Sequence, residues 1–209
     1  MISFLSFLKE ATTEKHGVLA FGRMNPPTAG HEKLMKKVED VAKEHNADHR
    51  VVLSGSHDTT AKEKKVGKNP LSPEAKVKHA KRAFPDTNIS AANRGENMMH
   101  HASKMYASGV KHLHMVVGSD RIEDTKKYLN AQNGKPGAHG HFKFKSITVH
   151  SSGERDPDSE GTTGISASKM RAHAASGNKE EFHKGAPSKM STEHKDELYH
   201  DVRKSMGHE

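Results

Sequence analysis

The chain has 209 residues, a length suited to one α/β domain, with 32% hydrophobic residues and a formal net charge of +8. It has no cysteine, which excludes disulfides, thiolate catalysis and Cys-ligated metals. No run approaches the roughly 18 apolar residues of a membrane helix, and the N-terminal octapeptide lacks a basic n-region and a long h-region, so a cytoplasmic protein is expected. The positive balance has two readings: a polyanionic partner such as nucleic acid or nucleotide phosphates, or solvation by lysines interspersed with acidic residues.

In chain order, Phe4, Leu5, Phe7 and Leu8 suggest a short amphipathic N-terminal helix within residues 1–16. Val18 to Gly22 reads as a first strand, and His31 to Glu44 as a helix with Leu34, Met35, Val38 and Val41 or Ala42 on one face. Arg50 to Ser54 is a second strand. Ser72-Pro73 supplies an N-cap and a proline at the first helical position, opening a helix that ends near Phe84-Pro85. Asn88 to Ala92 is a third strand, followed by a helix from Glu96 to Ala107. Leu113 to Gly118 is a central strand, with a helix from Arg121 to Asn130 behind it, and Lys143 to Val149 is a fifth strand. Beyond a polar loop carrying Asp156 and Asp158, helices are expected over Ser166 to Ala175 and Ser191 to Ser205. This alternation predicts an α/β fold: a Rossmann-like parallel sheet of about five strands flanked by helices, with its ligand at the carboxyl ends of the strands. Residues 17–175 form the expected domain and 176–209 a small helical C-terminal extension.

Two segments carry chemistry. Gly22-Arg23-Met24-Asn25-Pro26-Pro27-Thr28-Ala29-Gly30-His31 joins the first strand to the first helix. A turn there aims backbone N–H groups and a helix N-terminus at the strand's carboxyl end, where a phosphate is favoured. Gly22 permits close approach of a ligand, Arg23 supplies a bidentate fork, and His31 can donate to a phosphate oxygen. An ordinary βα turn with capping residues has the same composition. The second segment, Gly164-Ile165-Ser166-Ala167-Ser168-Lys169-Met170-Arg171, places two hydroxyls and two cations in a first helical turn. Cations there oppose the helix dipole unless an anion sits among them, which points to a polyphosphate.

The first segment resembles the (H/T)xGH signature of the cytidylyltransferase-like nucleotidyltransferases, with Thr28 at its first position and His31 at its last. The second resembles that superfamily's ISSTxxR signature, with Ala167 at one hydroxyl position. The Gly-Arg opening, Leu53-Ser54-Gly55-Ser56, the Asn69-Pro70-Leu71-Ser72-Pro73 stretch and Gly118-Ser119-Asp120-Arg121 are similar to nicotinamide mononucleotide adenylyltransferases. Lys76 stands where that pattern has an arginine, so a point charge replaces a fork. A vaguer likeness extends to tailed-phage members, and Leu8-Lys9-Glu10 would suit a prohead protease acting on a packaged protein. Localisation is then host cytoplasm or virion.

The resemblance implies transfer of a nucleoside monophosphate, AMP from ATP before CMP from CTP, to a phosphorylated acceptor, with nicotinamide mononucleotide first and pantetheine phosphate next. It implies Thr28, His31 and Arg171 as catalytic residues. Gly22, Arg23, Met24, Gly30, Ser166, Ser168 and Lys169 would bind nucleotide. Asn25, Ser54, Ser56, Lys76, Ser119, Asp120 and Arg121 would bind the acceptor. Asp120 has a second reading, as an N-cap of the helix after it. Magnesium is expected on the substrate phosphates, with no protein residue assigned as a metal ligand. Other classes remain open: a non-catalytic basic nucleic-acid-binding protein, or a virion-associated protein with a vestigial site. A homo-oligomer is compatible with the sequence; a membrane partner is not expected. His139 and His141, in a second Gly-His pair, are read as a solvated loop.

Overall fold

The strand β1 (His16–Gly22) takes the centre of the sheet because Val18, Leu19 and Ala20 are apolar on both faces, and all three are fully buried. A computed structural model describes residues 14–153 and 165–208. The Phe4 to Leu8 cluster, Asp156, Asp158 and Gly164 lie outside the described residues.

From β1 the chain runs through α1 (His31–Glu44), β2 (Asp48–Leu53), α2 (Ala61–Val66), α3 (Pro73–Ala83) and β3 (Ile89–Ala91). It continues through α4 (Met98–Ala107), β4 (His112–Val117), a 3-10 turn at Ser119–Arg121, α5 (Ile122–Gln132) and β5 (Ser146–Ser151). The helices α6 (Ala167–Ala175), α7 (Lys179–Gly185) and α8 (Thr192–Ser205) follow. The five strands pair in the order β3-β2-β1-β4-β5 and every pair is parallel. This is the Rossmann-like α/β sheet expected.

Local signals explain most boundaries. Ser72 caps α3 by accepting from the Ala75 amide at 3.2 Å, and Pro73 occupies its first turn. In α1, Met35, Val38, Val41 and Ala42 are buried on one stripe. The fifth strand begins at Ser146 rather than Lys143. Phe144 is buried, but its N–H donates to Asn133 Oδ1 (2.8 Å) and its carbonyl accepts from Asn133 Nδ2 (3.0 Å), so a side chain takes the place of a neighbouring strand. The fourth helix starts at Met98, because Asn97 caps it while Glu96 accepts from the Asn93 amide.

Two apolar clusters cover the two faces of the sheet. One joins Val18, Ala20, Leu53 and Val116 to α1, α3, α6, α7 and α8; the other joins Leu19, Val52, Leu113 and Met115 to α4, α5, Phe142 and Phe144. The helices beyond residue 175 therefore belong to the main core, with Phe182, Leu198 and Val202 fully buried in it. On their outer side Glu197 of α8 pairs with Lys78 and Arg82 of α3, and buried His79 meets Asp201 at 2.8 Å. Among the described residues, no helix is long and apolar enough to cross a membrane.

Candidate functional site

The sheet order fixes where a ligand fits. From β1 the chain builds outward to β2 and β3, then returns to the other side of β1 for β4 and β5. The loops leaving β1 and β4 consequently turn in opposite directions and open a crevice between them, the usual ligand position in open α/β sheets. Both predicted turns, after Gly22 and at Gly118, lie at this crevice.

His31 opens α1, and its ring is fixed by its own turn. The Thr28 amide donates to His31 Nδ1 at 2.9 Å, and the Thr28 hydroxyl lies 3.0 Å from the same nitrogen. An amide N–H can only donate, so Nδ1 is an acceptor and the neutral ring carries its proton on Nε2. Thr28 is 3% exposed, and both its amide and its hydroxyl lie against the imidazole. It positions His31; the expected direct contact of Thr28 with phosphate is corrected to this role.

Asn25 is also corrected. It is 1% exposed, and its amide donates to the Leu71 carbonyl and accepts from the Leu71 N–H, both at 3.0 Å. The side chain is thus spent on a backbone clamp joining the motif turn to the start of α3, and none of it is left for an acceptor. The preceding Met24 adopts φ 41°, a left-handed conformation that costs a non-glycine residue on the order of 1 kcal/mol. Its side chain is buried in the core, so Met24 offers a nucleotide only its backbone. A Cβ on Gly22 would meet nothing within 4 Å, which leaves that side of the β1 terminus open.

Lys76 is fully buried, with Nζ donating to the carbonyls of Ser54 and Ser56, the latter at 3.0 Å. It ties α3 to the loop after β2 and presents no surface to a ligand, contrary to its expected contact with an acceptor phosphate. Burial, reinforced by Arg23, pushes its ammonium down to about 8. Ser54 is buried with a hydroxyl that has no hydrogen-bond partner among the described residues, whereas Ser56 is exposed.

The second motif meets the first across the crevice. Ser166 caps α6 by accepting from the Lys169 amide at 3.2 Å. Half-buried Arg171 donates from Nη1 to the Asn25 carbonyl at 2.7 Å and from Nη2 to Ser168 Oγ at 3.1 Å. Burial and then Arg23 lower the Arg171 pKa. Arg23 thus acts on both Lys76 and Arg171, and Asp58 is the acidic group that offsets both. Ser168, Lys169 and Arg23 are exposed beside them, and Gly30 stands at the N-cap of α1. Glu74 also offsets the charge on Lys76, and a cluster of cations of this kind suits a bound polyanion.

On the β4 side, Ser119 and Asp120 form the 3-10 turn with Arg121, which pairs with Asp120 at 3.9 Å. The Asp120 carboxylate folds back so that a Cβ on Gly118 would sit 2.7 Å from it. Asp120 does not cap α5, whose N-cap is Arg121 with no side-chain bond. The outcome for the predicted set is therefore divided. The turn residues and Arg171 converge, Ser119, Asp120 and Arg121 stand at the facing turn, and Asn25, Thr28 and Lys76 turn inward.

Two contributors carry no local signal. Asp58, buried and holding the Asn69 backbone, shapes the loop after β2. The Gly185 carbonyl accepts from the Ala29 amide at 2.9 Å, so α7 supports the motif turn. A side chain at Gly185 would strike Ile165 and Met170 at 2.5 and 2.9 Å, which explains a glycine at that approach. Two shallow surface hollows, one beside Met35 and Phe84 and one beside Met99 and Tyr128, lie off the crevice and gather none of the motif residues.

No protein-family model matches the sequence, and no curated protein matches it. Among solved structures, the chain is similar to Thermotoga maritima TmcAL bound with alpha-thio ATP (Form II), with a TM-score of 0.49 and 9% identity. That likeness covers 92% of this chain and 56% of the other, so the chain spans a little over half the length of that protein.

Proposed function

We propose that this chain is a nucleotidyltransferase, transferring AMP from ATP to a phosphorylated acceptor, nicotinamide mononucleotide first, with release of pyrophosphate. One observation carries the reading: two motifs 146 residues apart meet, with Arg171 on the Asn25 carbonyl in the turn whose Thr28 amide sets the His31 tautomer. A phosphate-rich substrate is the chemistry that such a convergence of donors and cations fits.

In this reaction an acceptor phosphate oxygen attacks the α-phosphorus in line. The new P–O bond forms as the bond from the α-phosphorus to the bridging oxygen breaks, and both electrons leave with pyrophosphate. The acceptor oxygen is ionised at neutral pH, so no general base is required, and catalysis rests on position and charge. His31 donates from Nε2 to an α-phosphate oxygen as negative charge builds there. Arg171, Ser168 and Lys169, with Arg23, neutralise the departing pyrophosphate. The Ser119–Arg121 turn faces the acceptor. Magnesium fits as an ion carried in by the triphosphate: Asp58 is engaged by Asn69, and Asp120 is the one carboxylate within the Ser119–Arg121 turn. When bound, it offsets phosphate charge.

The test is a pyrophosphate-release screen of ATP and CTP against nicotinamide mononucleotide, pantetheine phosphate and other phosphorylated acceptors, with His31→Ala alongside. Release that needs ATP and one acceptor together, and that collapses in the variant, is the expected result. Turnover with CTP would move the assignment to a cytidylyl donor. No turnover, combined with DNA affinity falling steeply with salt, would replace the enzyme by a basic nucleic-acid-binding protein.

A further inference from the structure

The opposite end of the sheet gathers histidines that the nucleotide site does not use. His16 begins β1, His112 and His114 begin β4, and His150 lies on β5, all on the face covered by α1. His45 caps the C-terminus of that helix. His16 Nδ1 faces His114 Nε2 at 3.0 Å, and His114 Nδ1 faces His150 Nε2 at 3.0 Å. His45 stacks on His114 with ring centroids 4.0 Å apart. One ligand nitrogen from each of His16, His45 and His114 lies within 4.8 Å of the others.

We propose that His16, His45 and His114 form a binding site for a divalent transition-metal ion of the zinc class, with a fourth position left to water. Three features support this beyond proximity. First, His16 Nδ1 and His114 Nε2 already face each other at 3.0 Å, close to the separation of two nitrogens on one tetrahedral ion, and His114 is 4% exposed. Second, a ligating histidine normally donates its remaining N–H to an acceptor that fixes its tautomer, and His150 stands in that place behind His114. Third, the site lies under the carbonyl end of α1, whose dipole favours a cation.

Tetrahedral zinc at about 2.0–2.1 Å sets ligand nitrogens roughly 3.3 Å apart, so the triad closes by on the order of 1 Å. His45 supplies that movement. It sits half-buried at a helix end, and the ring torsion that turns it from stacked to edge-on is soft. The nearest opposing charges are Glu44, 3.8 Å from His45, and Glu14, which binds His112 at 2.7 Å.

The experiment uses the untagged full-length chain stripped with chelator. Co2+ is titrated and followed by its visible absorption, then displaced with Zn2+. The expected result is one ion per chain with the intense bands of four-coordinate cobalt, displaced stoichiometrically by zinc. His45→Gln and His16→Gln should each weaken zinc binding by at least ~10-fold, the scale seen when even an outer-shell partner is lost. His139→Gln and His31→Ala should leave it unchanged. Absence of four-coordinate cobalt bands in the wild type overturns the proposal. So does zinc affinity equal in the wild type and His45→Gln, since that variant removes one proposed ligand at a half-buried helix end.

Discussion

The two ends of the same strands hold opposite chemistry. At the carboxyl end, β1 releases the chain at Gly22 into a crevice bordered by Arg23, Arg171 and the buried Lys76, charges that repel one another in the absence of an anion. At the amino end, the same strand begins with His16, in a cluster of imidazoles that includes His45, His112 and His114. On the two proposals made above, fixed cations suit one end to phosphate, and imidazole nitrogens suit the other to a metal ion. A parallel sheet makes this division easy, because every βα turn lies at one end and every αβ turn at the other.

The largest effect expected at either end comes from His31→Ala, which should lower kcat by ~100-fold or more while leaving metal affinity intact. Steady-state pyrophosphate release and zinc titration on the same preparation check both halves. A normal kcat would remove His31 from the chemistry. Arg171→Lys should follow, with kcat/KM reduced by roughly 10-fold or more, because an ammonium cannot hold the Asn25 carbonyl, Ser168 and a phosphate in one plane. Equal kinetics in the variant would show that only its charge matters.

Lys76 tests whether the carboxyl-end charges are strained. Its pKa falls from 10.5 unfolded to about 8 folded, so the unfolded chain binds the proton more tightly. The cost is fully present below pH 8 and is relieved as pH rises from 8 towards 10.5. Relative to Lys76→Met, the wild type should therefore gain stability across that window, by about 1–3 kcal/mol at roughly 1.4 kcal/mol per unit. Parallel denaturant midpoints for the two proteins from pH 7 to pH 10 would contradict this. Asn25→Ala should cost about 1–3 kcal/mol by leaving the Leu71 amide and carbonyl unpaired, read as a lower Tm. The smallest effect belongs to Ser166→Ala, which removes a helix cap worth ~1 kcal/mol and should leave metal binding at the other end unchanged.

Much of this layout could be read from the residues in order. His31–Glu44 and Pro73–Ala83 fold where periodicity, the Ser72 cap and Pro73 place them. The two motifs at the carboxyl end are also legible, because each is a contiguous run whose composition suits a strand-to-helix turn or a helix start. What stayed hidden is non-local. Asn25 reads as a turn residue until Leu71, 46 positions on, takes both ends of its amide. Lys76 reads as a surface cation until two carbonyls from the β2 loop surround it. The histidine cluster draws on β1, α1, β4 and β5, and no window of sequence contains it. The short helix Lys179–Gly185 escaped because its capping Asn178 follows a glycine and only Phe182 is a large apolar residue within it.

The hydrogen bond from Ala29 to the Gly185 carbonyl has a consequence for how the molecule is made. The turn that carries His31 is synthesised early, yet its supports at Leu71, Arg171 and Gly185 are synthesised progressively later. On the ribosome, the first strand and helix can pair with their neighbours well before that turn has all its anchors. The turn between Gly22 and His31 therefore has its full set of hydrogen-bonded supports only once Gly185 has been made.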